Sequence, residues 1–185
     1  LNDIVVVGVV NEEHADGVFN PETLRKVHEL TEFALTLHGE AIGAEEGEGV
    51  IPRDVIAPST VDRIEPGEAG EISFSWLMRD PPKTAAEAIA VRDAAQRLPF
   101  LNNTLVSADG LALAIYLPIT EKDLSYRIAQ RLEEKAAALG GPEEFHITGL
   151  PVAEDTFGVE MFIQMGISAP MAMLVIFLLM LVFFR

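Results

Sequence analysis

The clearest pattern of hydrophobic positions lies at the C-terminal end of the chain. From Met165 to Phe184, 20 consecutive residues carry no charge. A helix rises about 1.5 Å per residue, so this run measures about 30 Å, which is the hydrocarbon thickness of a bilayer. A buried core helix is the alternative, but core helices seldom stay apolar on every face over such a length. The pattern therefore predicts a transmembrane helix within residues 161–185.

The preceding residues alternate between strand-like and helix-like patterns. The β-branched run Ile4–Val10 predicts a buried strand, and Asn20 with Pro21 predicts a helix start. The other expected elements are a helix to about His38, a short strand at Val50–Ile51, a helix capped by Thr84 and Glu87, a hairpin turn at Asp109–Gly110, a helix capped by Thr120, and a strand in "EFHITG". Asp-Gly is favoured in hairpin turns whose two central residues both have positive φ.

Leaving out residues 53–103, this order is strand–helix–strand followed by strand–helix–strand. Two such halves pack as a split βαβ sheet with both helices on one face. We therefore expect an α+β, ferredoxin-like domain over residues 1–160, with an insertion at about 53–103. "LPVAEDTFGVEMFIQMG" is expected to lead as a helix straight into the transmembrane segment 161–185.

Charge adds an orientation to this picture. The formal net charge is −16, and all 29 acidic residues lie at or before Glu160, whereas Arg185 follows the apolar run. Basic residues flanking a membrane helix favour the cytoplasmic side, so residues 1–160 are predicted to lie outside it. The acidity argues against nucleic acid as a partner, because phosphates require Lys and Arg. Leu1 is no initiator methionine, and we expect the chain to be an excerpt of a longer membrane protein.

The sequence carries no motif that we would assign to catalysis or to a cofactor. There is no cysteine, no G-x-S-x-G serine and no glycine-rich phosphate loop. His14 lies beside Glu12, Glu13 and Asp16, but a solvated loop is the better interpretation than a metal site. We therefore expect no enzyme activity, no cofactor and no metal.

Five flexible or aromatic side chains cluster where the apolar run begins. Methionine side chains suit surfaces that meet varied apolar molecules, so a substrate rim is one interpretation, with ordinary lipid-facing packing as the alternative. The candidate rim residues are Met161, Phe162, Met165, Met171 and Met173. Hinges or turns are expected at Asp109, Gly110, Gly149, Pro151 and Pro170, the last as a kink in the membrane helix.

Several stretches, in this order, resemble the RND superfamily of membrane exporters, most closely its MMPL-like and hopanoid- or sterol-type branch. They are "VFNPETLRKVHELT", "LVSADGLALAIYL", "HITGLPV" and the apolar run ending in "FFR". The resemblance implies that residues 1–160 are the first or second periplasmic porter domain of a transporter in the bacterial inner membrane. It also implies a proton relay in other membrane helices, because this apolar run contains no ionisable residue that could form one.

The resulting hypothesis is the periplasmic part of a proton-driven exporter of hydrophobic or amphipathic, lipid-like or drug-like, molecules. Its expected partners are the lipid bilayer, the remainder of the transporter chain, further copies in a homo-oligomer and the hydrophobic substrate. The alternative is an extracytoplasmic ligand-sensing domain of a membrane-anchored signalling receptor.

Overall fold

The computed structural model of the chain describes residues 3–66 and 72–184, apart from the side chains of residues 64–66, 72 and 155. Arg185, on which the predicted orientation depends, lies outside these residues. The described elements are β1 (Asp3–Val10), α1 (Pro21–Leu35), β2 (Asp62–Pro66), β3 (Ile72–Trp76), α2 (Ala85–Arg97), β4 (Ala112–Ile119), α3 (Ser125–Leu139), β5 (Glu144–Thr148) and α4 (Leu150–Phe183). The protein is thus a mixed α+β domain followed by a long apolar helix.

The main sheet of the domain has three antiparallel strands in the order β4-β1-β5. Successive side chains of a strand point to opposite faces, and Val5, Val7 and Val9 of the central strand are fully buried. They form the core with Ile115 and Leu117 of β4 and with the apolar stripes of α1 and α3. The β-branched opening run therefore forms the centre of the sheet, as its composition predicts.

The free side of β4 pairs with isolated bridges rather than with a regular strand, and two of these bridges come from residues 50–56. Val50 pairs with Ile119, and Ile56 pairs with Tyr116, both in antiparallel sense. A short 3-10 helix over Pro52–Asp54 separates them. Proline donates no backbone hydrogen bond, so a continuous ladder at this position is not available. The short strand expected at Val50–Ile51 is reduced to a bridge for this reason.

Two helix boundaries predicted from the sequence are wrong. The first helix ends at Leu35 rather than near His38, and the N–H of Val50 donates instead to the carbonyl of Leu37. Thr120 does not cap a helix, because its hydroxyl accepts a hydrogen bond from the N–H of Gly49 at 2.9 Å. The next α-helix starts only at Ser125, after a short 3-10 turn. In both cases a long-range backbone contact replaces the local capping signal.

The turn through Asp109 and Gly110 differs from the expected hairpin turn. The N–H of Gly110 donates to the carbonyl of Ser107, so Ala108 and Asp109 are the central residues of the turn, and neither has positive φ. Gly110, which follows them, has positive φ at 77°. Asp109 instead uses its carboxylate to accept from the Ser107 hydroxyl at 2.6 Å and from the N–H of Leu111. These two hydrogen bonds, that of Ser107 first, hold the pKa of Asp109 below its usual value.

The insertion expected at about 53–103 contains a hairpin. Strands β2 and β3 pair in antiparallel register, and Phe74 and Trp76 of β3 are 68% and 50% exposed. The capping box of the following helix is confirmed, since the Thr84 hydroxyl accepts from the N–H of Glu87 at 3.2 Å. The Glu87 carboxylate accepts a hydrogen bond from the N–H of Lys83, whereas in a regular capping box it would accept from the N–H of Thr84.

A buried ion pair joins α1 to the segment that leads into β5. Nζ of Lys26 lies 2.6 Å from Oε2 of Glu143, and the two side chains are only 2% and 1% exposed. The Thr23 hydroxyl donates to Oε1 of Glu143 at 2.6 Å and accepts from the amides of Asn11 and Asn20. Every oxygen of the carboxylate therefore has a donor, which is the condition for a buried charge to be tolerated.

Opposing effects act on the pKa of Glu143. Burial, the largest of them, raises the pKa. The hydrogen bonds from Lys26 and Thr23, a backbone hydrogen bond and the charge of Lys26 all lower it, and the pKa stays below its usual value. A second ion pair, Glu29 of α1 with Lys135 of α3 at 2.5 Å, lies nearer the surface. The hydrogen bond from Lys135 lowers the pKa of Glu29 in the same direction.

We expect Lys26→Met to lower the free energy of unfolding by about 3–5 kcal/mol, because it leaves the Glu143 carboxylate buried without its partner. The matched control is Lys135→Met, which removes an exposed pair worth about 0.2–1 kcal/mol. Urea unfolding of the full chain in a non-ionic detergent measures both. Equal losses in the two variants would contradict a special role for the buried pair.

The buried carboxylate also predicts a pH dependence. Because the pKa of Glu143 is lowered on folding, its contribution is present above the ordinary pKa of about 4.3 and is lost as the pH falls through the folded value. The stability difference between the wild type and Glu143→Gln should therefore be largest at neutral pH and should shrink toward about pH 3. Thermal unfolding across this range measures it, and a constant difference would refute the assignment.

Candidate functional site

The most unusual surface of the protein is the apolar helix α4. It is 34 residues long, and every residue from Met161 to Phe184 is exposed, with Phe183 at 80%. Its most apolar 18-residue window is 0% buried by the rest of the chain. Among the described residues, α4 is the one helix long and apolar enough to cross a membrane. The alternative of a helix buried within the domain does not match this exposure.

The first turn of α4 is fixed to the domain. Pro151 and Val152 are buried, and Val152 belongs to the hydrophobic core. Lys122, in the 3-10 turn before α3, forms an ion pair with Glu154. The hydrogen bond with Glu154 is the largest cause that raises the pKa of Lys122 above its usual value. The helix therefore begins as part of the α/β domain and leaves it after this turn.

Gly149, between β5 and α4, determines how closely the chain approaches the start of β1. Its φ is 135° and its ψ 152°, a conformation essentially restricted to glycine. A Cβ at this position would lie 2.4 Å from the carbonyl oxygen of Ile4 in β1. Gly149 is thus required by both backbone conformation and space, and it lies in close contact with β1.

The candidate hinge residues lie in two separate places. Gly149 and Pro151 lie at the junction, beside the start of β1. Asp109 and Gly110 precede β4, whose first residue pairs with Val10 at the other end of β1. The β1 strand of eight residues separates the two groups by about 27 Å. They cannot act as one hinge. Pro170 lies within α4, which continues through it without a break to Phe183.

The candidate rim residues are all exposed but do not share one face of α4. Met161 and Met165 are four residues apart and lie on the same side, as do Phe162 and Met173, which are eleven apart. Phe162 and Met171 are nine apart and lie on opposite sides of an ideal helix. Four of the five side chains therefore fall within about 120° of the helix circumference, and Met171 lies apart from them, so a substrate contact on one side would not use Met171.

In the part of the chain that the structure describes, the candidate ligand His14 makes only a local contact. Nδ1 of His14 accepts a hydrogen bond from the N–H of Asp16 at 3.1 Å, which is a local turn contact. Within residues 3–66 and 72–184, no cluster of three or more His, Asp or Glu side chains is placed to hold a metal ion.

Sequence reasoning missed the buried pair of Lys26 and Glu143. One signal was present, since Lys26 falls between Thr23 and Leu30 at helical spacing on a face that is otherwise buried. A lysine inside an apolar stripe requires a partner. Nothing in the sequence identifies that partner as Glu143, which lies 117 residues further along the chain.

Comparison of the chain with protein-family models, with curated proteins and with solved structures gives no match.

We expect Gly149→Ala to destabilise the junction by about 1–3 kcal/mol or more, because alanine cannot adopt the backbone conformation without strain. Gly158→Ala is the matched control in α4, where an added Cβ has no atom within 4 Å. That change should be neutral or stabilising by up to about 1 kcal/mol. Hydrogen exchange at the amides of residues 152–156 reads out the junction, and similar exchange in both variants would contradict the account.

Proposed function

We propose that residues 1–160 form a periplasmic, porter-type domain of a proton-driven RND-type exporter and that residues 161–185 cross the inner membrane. The observation that carries this proposal is the exposed apolar helix that continues directly from the last strand of an acidic α/β domain. Such a surface is not compatible with water, because soluble monomers seldom expose apolar patches larger than a few hundred Å².

The strand arrangement supports the porter assignment. If the bridges at Val50 and Ile56 are counted as a fourth, broken strand, the sheet order is β5, β1, β4 and then residues 50–56. With α1 and α3 as the two connecting helices, this order is that of a ferredoxin-like split βαβ domain. The interruption by the 3-10 helix at Pro52–Asp54 is a departure from a regular strand.

The proposed substrate is a hydrophobic or amphipathic molecule, lipid-like or drug-like. It would contact α4 where the helix enters the bilayer, using the side of Met161 and Met165 or that of Phe162 and Met173. Energy coupling would use proton-carrying residues in other membrane helices of the same transporter, which we propose to be a homo-oligomer. The junction at Gly149 would transmit domain motion to α4.

A ligand-sensing receptor domain is the second candidate. It is favoured by the presence of a single candidate membrane helix among the described residues. Both candidates place the domain outside the cytoplasm, but only the exporter transports a substrate. One experiment therefore tests the membrane orientation, and a second tests transport.

The topology has a direct test because the chain contains no cysteine. We expect Glu46→Cys, at an exposed position, to react with a membrane-impermeant maleimide in cells whose outer membrane alone is permeabilised. Phe184→Cys, at the other end of α4, should react only after lysis. Labelling of Phe184→Cys in intact cells, or protection of Glu46→Cys, would contradict the proposed orientation.

Transport is tested by accumulation of a hydrophobic dye in cells that carry the complete gene. Deletion of the gene and the Gly149→Ala variant should both raise dye accumulation, because the second change disturbs the junction. The Gly158→Ala control should export normally, and a protonophore should abolish the difference. If deletion leaves accumulation unchanged but alters gene expression in response to a ligand, the exporter proposal is wrong and the receptor is favoured.

A further inference from the structure

Strand β5 has a free edge. Within residues 3–66 and 72–184, its backbone pairs only with β1, and no loop covers its other side with hydrogen bonds. An edge strand presents a row of N–H and C=O groups that can pair with an added strand. The opposite edge of the sheet, at β4, already has bridges to residues 50, 56 and 106, so the two edges differ.

A groove runs beside this edge, between β5 and the C-terminal half of α3. It encloses about 350 Å³. Phe145 and Ile147 form one wall, and both are half-buried because the sheet ends there. Ala136 and Ala137 form the other wall, and their small side chains leave room for side chains of an added strand. The groove therefore offers apolar contacts to every second residue of an extended peptide.

The charges around the groove indicate which kind of peptide segment it would bind. Glu133 is exposed at its border, and Glu144 is exposed on the outer face of β5, where its Oε2 lies 3.3 Å from Nε2 of His146. The charge of Glu143 is paired with Lys26. A second copy of this chain would bring a second net charge of −16 to the same edge. Like charges at an interface are costly, and opposite charges favour association. A basic segment fits this edge better than a second copy does.

We propose that β5 accepts an extended peptide segment of a partner protein as an added strand, with apolar residues alternating with Lys or Arg. Main-chain hydrogen bonds to β5 would give affinity, as in other cases of strand addition. The apolar residues would point into the groove against Ala137 and Phe145, and the basic residues would point outward near Glu144. This assignment is independent of whether the protein transports a substrate.

The test uses the full chain in nanodiscs of zwitterionic lipid and a fluorescent peptide, acetyl-Lys-Val-Lys-Val-Lys-Val-Lys-amide. Fluorescence anisotropy should show binding, with empty nanodiscs as the blank. The analogue in which Glu replaces each Lys should bind at least about tenfold more weakly, because like charges at an interface are costly. A peptide with N-methyl groups on alternate residues should bind more weakly by a similar factor, because its methylated backbone nitrogens cannot donate hydrogen bonds to the edge of β5.

Two variants of α3 locate the site. Ala137→Arg fills the groove and should weaken binding about tenfold or more. Ala138→Arg, at the next exposed position outside the groove, should leave binding unchanged. Equal binding to both variants, equal binding of the Lys and Glu peptides, or no binding of any probe would overturn the proposal. So would a homodimer abolished by Ala137→Arg, since that result would assign the edge to a second copy.

Discussion

The exposed apolar surface of α4 is the constraint on which the rest of the structure depends. Twenty-four residues from Met161 to Phe184 are exposed in succession, and none of them carries a charge. An α-helix satisfies its own backbone hydrogen bonds, so it is one of the few structures that can lie in hydrocarbon without penalty. In water the same surface would favour aggregation. The acidic domain and α4 therefore favour different solvents, and the contacts at the start of α4 join them.

That attachment depends on a few contacts near the start of β1. Gly149 permits an approach to the carbonyl of Ile4 that no side chain would allow, and Val152 enters the core directly after it. The ion pair of Lys122 with Glu154 ties the 3-10 turn before α3 to the same helical turn. On the other side of the domain, Lys26 and Glu143 hold α1 against the start of β5. Strand β5 thus connects the buried polar network to the membrane-proximal junction.

The elements with a strong local pattern could be predicted from the sequence, and those determined by distant contacts could not. The β-branched run of β1, the Asn20 cap of α1 and the apolar length of α4 each carry their own signal, and each is present in the structure. The cap expected at Thr120 fails because its hydroxyl binds the N–H of Gly49, 71 residues away. Local propensity gives no information about such a partner.

The candidate site follows the same division. The exposure of the methionines of α4 was predictable from composition, whereas their distribution around the helix follows from its 3.6-residue period. The partner of Lys26 and the groove beside β5 depend on how α1, α3 and β5 are placed in three dimensions. The hairpin of β2 and β3 was missed because its strands are short and their alternation is weak. These strands are stabilised mainly by pairing with each other, which the sequence of either strand alone does not indicate.

The most direct test of the central claim is the partition of two forms of the protein between membrane and water. The full chain and a form that ends at Glu160 are expressed in bacteria, and the membranes are washed with alkaline carbonate. If α4 crosses the bilayer, the full chain stays in the membrane pellet and the shortened form, whose remaining surface is acidic, is soluble and folded. Release of the full chain into the wash as a folded, monodisperse protein would contradict the account.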